Sequence, residues 1–196
     1  MPIINQLIPL FNSLKKEDIN TCRKLIASPV YNTKVQGDNT LLILYEALVQ
    51  NKKEPIEDEK LFRLAFKKQK FDKKEFSRLK SALTNLIEEF FILKEFRKDK
   101  FQRNIYLLKA LRQNNMEQGF EQAYKEIEQD ISNEPLKNAD YHLYLSKLNN
   151  EYYINYVEKK RELPKQFEIS NIELSNYIIS QKIKSLCEAI SATTIK

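Results

Sequence analysis

Glycine is nearly absent, with two in 196 residues, where ordinary usage is about 7%. Loops that cradle phosphate need several backbone positions at positive φ, so Gly-rich phosphate loops are excluded. The same shortage argues against barrels and sandwiches, whose tight hairpins draw on Gly and Asn-Gly pairs. Histidine occurs once, at His142, and cysteine twice, at Cys22 and Cys187. Such a set cannot make the His/Cys clusters that hold transition metals, and it contains no redox pair, so neither metal nor cofactor is expected. Long hydrophobic runs are missing as well. The most apolar stretch, Leu41 to Val49, is interrupted by Glu46 and is far shorter than the roughly 18 residues of a membrane span. Met1-Pro2-Ile3-Ile4-Asn5 lacks the basic segment and small-residue cleavage site of a signal peptide. A reducing cytoplasmic setting without a membrane partner is the expectation, with both cysteines buried as small hydrophobes.

What the chain does contain is charge and helical periodicity. Thirty-three Lys and Arg stand against 27 Asp and Glu, a net charge of +6. The excess is central: residues 52–112 hold 18 basic and 10 acidic residues, while the segments on either side are close to balanced. A basic balance favours polyanions but serves solubility equally well.

Apolar residues recur at three- and four-residue steps along nearly the whole chain, and none of it alternates with period two. The opening apolar residues predict a short helix broken around Pro9, with Ser13 capping a second helix that runs to Ala27 and turns Ile19, Cys22, Leu25 and Ile26 inward. Ser28-Pro29 ends it. Asp38 is placed to cap an apolar helix over 40–50, and Glu57, Asp58 and Glu59 to open a short one that buries Leu61, Phe62, Leu64, Ala65 and Phe66. Asp72 with Glu75 reads as a capping box for the longest helix, to about Arg97. Along it Phe76, Leu79, Leu83, Leu86, Phe90 and Leu93 step by 3 and 4 in a heptad seam. Asp99 caps a helix carrying Ile105 and Leu108, and a short turn at 113–115 leads to another over about 116–131. A long helix spans about 139–161, and Ser170 with Glu173 marks the start of a last one bearing Ile172, Ile179, Ile183, Leu186 and Ile190. The fold class is therefore all-α, an irregular helical bundle or stacked helical hairpins of about eight helices. Residues 1–98 are expected to form an N-terminal bundle ending in the long amphipathic helix, with 99–196 as helical hairpins packed on it or continuous with it. A last helix that runs almost to Lys196 would suit a chain whose helices continue further.

Three resemblances follow from particular residues. Arg103 to Ile131, with Ala110, Asn114, Glu117, Ala123 and Tyr124 around a short turn, resembles one tetratricopeptide-type hairpin, without that family's tryptophan or a fixed period. Leu25-Ile26-Ala27-Ser28-Pro29-Val30-Tyr31-Asn32, with Lys60-Leu61-Phe62 and the Asp72 helix, resembles the N-terminal region of long, uncharacterised all-helical bacterial proteins that carry a Ser-Pro-Tyr-Phe-Asn-like turn. That likeness implies a helical fold and no particular activity. Glu59 to Phe66 followed by Glu75 to Phe90 is similar to the two central helices of winged-helix regulators, in which the second enters the major groove.

The chemistry offered is sparse. His142 sits among tyrosines with no nucleophile at recognisable spacing, so it reads as a helix residue that packs or faces water. Tyr141, Tyr144, Tyr152, Tyr153 and Tyr156 crowd one helix and read as core aromatics with hydroxyls reaching the surface. The sharpest functional feature is basic: Lys67, Lys68, Lys70, Lys73, Lys74, Arg78 and Lys80 lie on a loop feeding a helix amino end, where side-chain cations and backbone amides together could meet phosphates. No catalytic residue is assigned. The expected function is a non-enzymatic scaffold or protein–protein interaction module, with nucleic-acid binding through residues 67–80 as the alternative. Self-association through Phe76, Leu79, Leu83, Leu86, Phe90 and Leu93 is a further candidate interaction.

Overall fold

The computed structural model describes residues 6–32, 39–52, 57–67, 70–160 and 162–194. Among them it contains nine α-helices and no strand, so the chain is all-α. It divides into two compact units, Met1–Glu95 and Phe96–Lys196.

The first unit comprises α1 (Leu7–Asn12), α2 (Lys16–Ile26), α3 (Thr40–Gln50), α4 (Asp58–Phe66) and α5 (Lys73–Lys98) as far as Glu95. Pro9 does not break α1. It lies in the first turn, where its missing N–H would have no helical partner. Ser13 closes α1 rather than opening α2, since its hydroxyl donates to the Leu10 carbonyl, and α2 starts from Lys15 without a side-chain cap. For α3 the cap is Asn39, whose side-chain oxygen accepts from the Leu42 amide; Asp38 lies outside the described residues. Asp58 and Glu59 fill the first turn of α4, as the macrodipole favours. The helix ends at Lys67 in the left-handed region, φ 54°.

The core is aromatic at its centre. Phe62 is fully buried and meets Phe66, Phe71 and Phe76 at ring-centroid separations of 4.7, 5.3 and 6.0 Å. Phe71 is thereby tied into the core and not free to stack on a base. Tyr45 packs edge-on against Phe11 and donates its hydroxyl to the Ile19 carbonyl at 2.9 Å, which satisfies its one polar atom inside the core. Five of the six heptad-seam residues of α5, Phe76, Leu79, Leu83, Leu86 and Phe90, are buried in this same core, and Leu93 is half-buried. The seam expected to pair two copies is thus filled from within the chain. The turn after α2 explains its asparagine: Asn32 is buried and its side-chain amide donates to the Ile26 carbonyl, one of the acceptors left open where α2 ends.

The second unit contains α6 (Lys100–Gln113), α7 (Glu117–Ser132), α8 (Ala139–Lys160) and α9 (Lys165–Thr194). Asp99 caps α6 through the Gln102 amide at 2.8 Å. Asn115 takes the left-handed turn position before α7, φ 56°, which asparagine tolerates better than most side chains. Ile105, Leu108, Phe120, Tyr124, Ile127, Ile131 and Leu148 form the core, with Phe101 stacked on Tyr144 at its edge. Polar groups inside it are paired: the Tyr124 hydroxyl donates to Asn149 Oδ1, and the Asn149 amide to the Leu145 carbonyl. The α8 helix packs against α6 and α7 on one side and α9 on the other.

The last helix begins five residues before the expected cap. Pro164 precedes α9, and the Ser170-x-x-Glu173 pattern falls inside it. Ser170 joins two helices: its hydroxyl donates to the Ser146 carbonyl at 3.0 Å, and the Ser146 hydroxyl donates to the Ser170 carbonyl at 2.9 Å.

Candidate functional site: the uncovered face of the last helix

The basic cluster is real as exposed charge but lacks the free amides that would complete a phosphate site. Lys67, Lys70, Lys73, Lys74 and Arg78 are exposed; Lys68 lies outside the described residues. At the start of α5, Asp72 Oδ1 accepts from the Lys74 and Glu75 amides at 2.8 and 3.0 Å. A carboxylate therefore already occupies the place a phosphate would take, and brings its own negative charge. Lys80 turns away from such a role: its Nζ is 2.7 Å from Asp58 Oδ2 and lies over the Phe76 ring. Arg78 lines a hollow of about 240 Å³ with Glu75, Asn32, Asn39 and Phe66.

Catalytic geometry is not assembled around the histidine. His142 Nδ1 lies 2.6 Å from Glu173 Oε2, an imidazole–carboxylate pair linking α8 to α9. Ser146, one turn further along α8, supplies the residue type a triad would need, but its hydroxyl is spent on Ser170 instead of on the imidazole. Among the described residues no three His, Cys, Asp or Glu side chains gather to hold a metal ion, and no helix is long and apolar enough to cross a membrane.

The two cysteines have opposite fates. Cys22 is fully buried, and burial pushes its thiol up to about 11, so at neutral pH it is protonated and unreactive. Cys187 is exposed on α9 rather than buried as expected. The tyrosines of α8 are packing residues: Tyr152 lies 4.6 Å from Tyr124, and Tyr153 lies 4.9 Å from Phe167, centroid to centroid. Burial raises the phenols of Tyr144 and Tyr152 above their ordinary value, which keeps them neutral.

The feature that sequence reasoning missed is the exposure of α9. Among the described side chains of this 30-residue helix, residues 165–193, none is buried. Its contact with α8 runs along one side, through Phe167, Ser170 and Glu173. The Ser146–Ser170 and His142–Glu173 pairs set an antiparallel register that brings the start of α8 level with about residue 177, so the rest of α9 extends roughly 25 Å past it. From Lys182 to Thr193 every residue is exposed. Ile172, Ile179, Ile183, Leu186 and Ile190 are 50, 55, 57, 63 and 65% exposed. Scattered exposed apolar residues need no explanation, but five at heptad spacing on one helix make a continuous stripe. The 4-3-4 spacing from Ile179 to Ile190 marks the helix in the sequence but carries no sign of whether its apolar side is covered. Compared with family models, curated proteins and solved structures, the chain matches none.

Proposed function

We propose that this chain is a non-enzymatic helical module that binds another protein through α9. The observation that carries this reading is the stripe Ile172, Ile179, Ile183, Leu186 and Ile190, held in water on a long helix whose other side is anchored to α8. Apolar surface of this extent gains free energy when covered, at about 25 cal/mol per Å². The second unit, which buries its own core, supplies a base for such a helix through α8. The helix-in-groove mode, in which anchors repeat at i, i+3, i+4 and i+7, is the recognition mode that this spacing fits.

Capture from a native lysate tests the reading when wild-type chain is compared with an Ile179→Ser/Ile183→Ser variant. A protein retained by the first and lost by the second supports α9 as the binding face; identical captures remove it. Because both positions are exposed, the variant keeps its cores.

Nucleic-acid binding is the second reading, favoured by five exposed cations between Lys67 and Arg78. It requires affinity that falls steeply with salt, with a log–log slope of about −0.9 per phosphate contacted. Fluorescence anisotropy with unrelated duplexes in dilute salt is expected to show no binding at low micromolar protein. Binding that weakens on addition of salt and on Lys73→Ala/Lys74→Ala substitution would establish the rival.

A further inference from the structure

We infer that the partner of α9 is α9 of a second copy of this chain, and that the two form a parallel, in-register coiled coil. This rests on the reading of α9 as the binding face and specifies what covers it.

The register comes first. Taking Ile183 and Ile190 as a positions and Ile179 and Leu186 as d positions, the pattern extends back through Asn176 at a, Ile172 at d and Ile169 at a. From Ile169 to Ile190 this is about three heptads, the length at which a seam argues for a coiled coil. The chain offers an internal contrast. The seam of α5 follows the same rule, and its five best-placed residues are buried by α1 to α4. On α9 Ile172, Ile179, Ile183, Leu186 and Ile190 stay at least half exposed, while Ile169 and Asn176 are half-buried. A heptad seam left uncovered by its own fold is complementary to itself, because knobs and holes on one helix match those on an identical neighbour.

Area and charge agree with this. The five seam side chains present on the order of 500 Å² of apolar surface per copy. Two copies therefore bury about 1,000 Å², the size at which specific association begins. In a parallel pair Lys182 meets Cys187 and Ser175 meets Ser180, without like charges, and the one like-charged pair of the register, Glu168 against Glu173, falls beside α8, where His142 already engages Glu173.

Orientation follows from Asn176. It is half-buried, and its side chain makes no hydrogen bond among the described residues. In the parallel arrangement its amide meets the same amide of the second copy, the use a single polar a residue has in fixing register. Reversing one helix about the middle of the stripe would place Asn176 against Leu186 and leave the amide facing an apolar side chain.

Sedimentation equilibrium of the purified full chain is the first measurement, and the expected result is twice the chain mass. The Ile179→Ser/Leu186→Ser variant is expected to be monomeric with unchanged circular dichroism of its cores. In a Cys187→Ser background, Ile183→Cys is expected to form an intermolecular disulfide under mild oxidation, whereas Glu188→Cys, on the opposite side of the helix, is not. A chain that is monomeric over a hundredfold range of concentration overturns the inference, as does a dimer that survives the double substitution or one in which Ile183→Cys fails to link. If the chain is monomeric but lysate capture still depends on Ile179 and Ile183, the binding role of α9 stands and only the identity of its partner is wrong. If capture is also independent of them, both fall.

Discussion

Cys22 shows how one buried side chain writes a pH dependence into the molecule. Its thiol is raised from 9.0 to about 11, chiefly by burial. In the unfolded chain the same thiol ionises near its ordinary value, so the folded state retains a proton that the unfolded state has released. The stabilisation is complete below pH 9.0 and is lost as pH climbs toward about 11. Burial also raises the Tyr45 phenol, but from 10.0, and a hydrogen bond to Asp18 raises the Lys94 ammonium from 10.5. Both therefore act at higher pH than the thiol. Between pH 9 and 10 Cys22 should contribute on the order of 1 kcal/mol to the decline, with the raised phenols of Tyr45, Tyr124, Tyr144 and Tyr152 adding a share that grows toward pH 10. Urea denaturation at successive pH values is expected to show a decline over this interval that is shallower in Cys22→Ala by about the contribution of the thiol, whatever the overall cost of the substitution. Lys67 makes a second residue-scale case. It pays for a left-handed φ of 54° that glycine would adopt freely, so Lys67→Gly is expected to stabilise the first unit by about 0.5–1 kcal/mol. A lower denaturation midpoint in that variant would contradict this account of the α4 terminus.

At the scale of elements, α5 and α9 separate what periodicity reveals from what it hides. Both carry apolar residues at steps of 3 and 4, and both were legible as helices. Whether such a stripe is covered depends on residues far away in sequence, and spacing says nothing of those. Local chemistry misled in a similar way at Ser170, because Ser-x-x-Glu describes a cap only where a helix begins, and inside a helix the same hydroxyl can bond a neighbouring helix. Asp72 and Asp99, by contrast, cap as expected, because each stands directly before the first residue of a helix. The basic cluster was legible as charge, while the occupation of its helix amides by Asp72 was not weighed although both facts lay in the same few residues. The two seams also predict different mutational behaviour. Leu83→Ala in α5 removes a fully buried side chain and is expected to cost about 2–5 kcal/mol at any protein concentration. Leu186→Ala in α9 removes one that is 63% exposed; in dilute protein its cost is expected to stay within about 0.5 kcal/mol. Equal losses from the two substitutions would mean that α9 is covered within the single chain.

At the scale of the whole molecule, each unit closes its own core, and an apolar helix extends from the second without contributing to either. Residues 178–193 add nothing to either core, since none of them is buried. If those residues pair with a second copy, the pairing stabilises only the folded state, and the melting temperature must rise with protein concentration by mass action. Full-length chain is therefore expected to melt higher across a roughly hundredfold increase in concentration, while a chain truncated after Tyr177 melts at a temperature that does not move. The truncated chain should also match the full chain at its most dilute, because both then report cores of identical composition. A melting temperature independent of concentration in both chains would show that the helix is stable alone in water. One that depends on concentration in both would place the self-association on another surface.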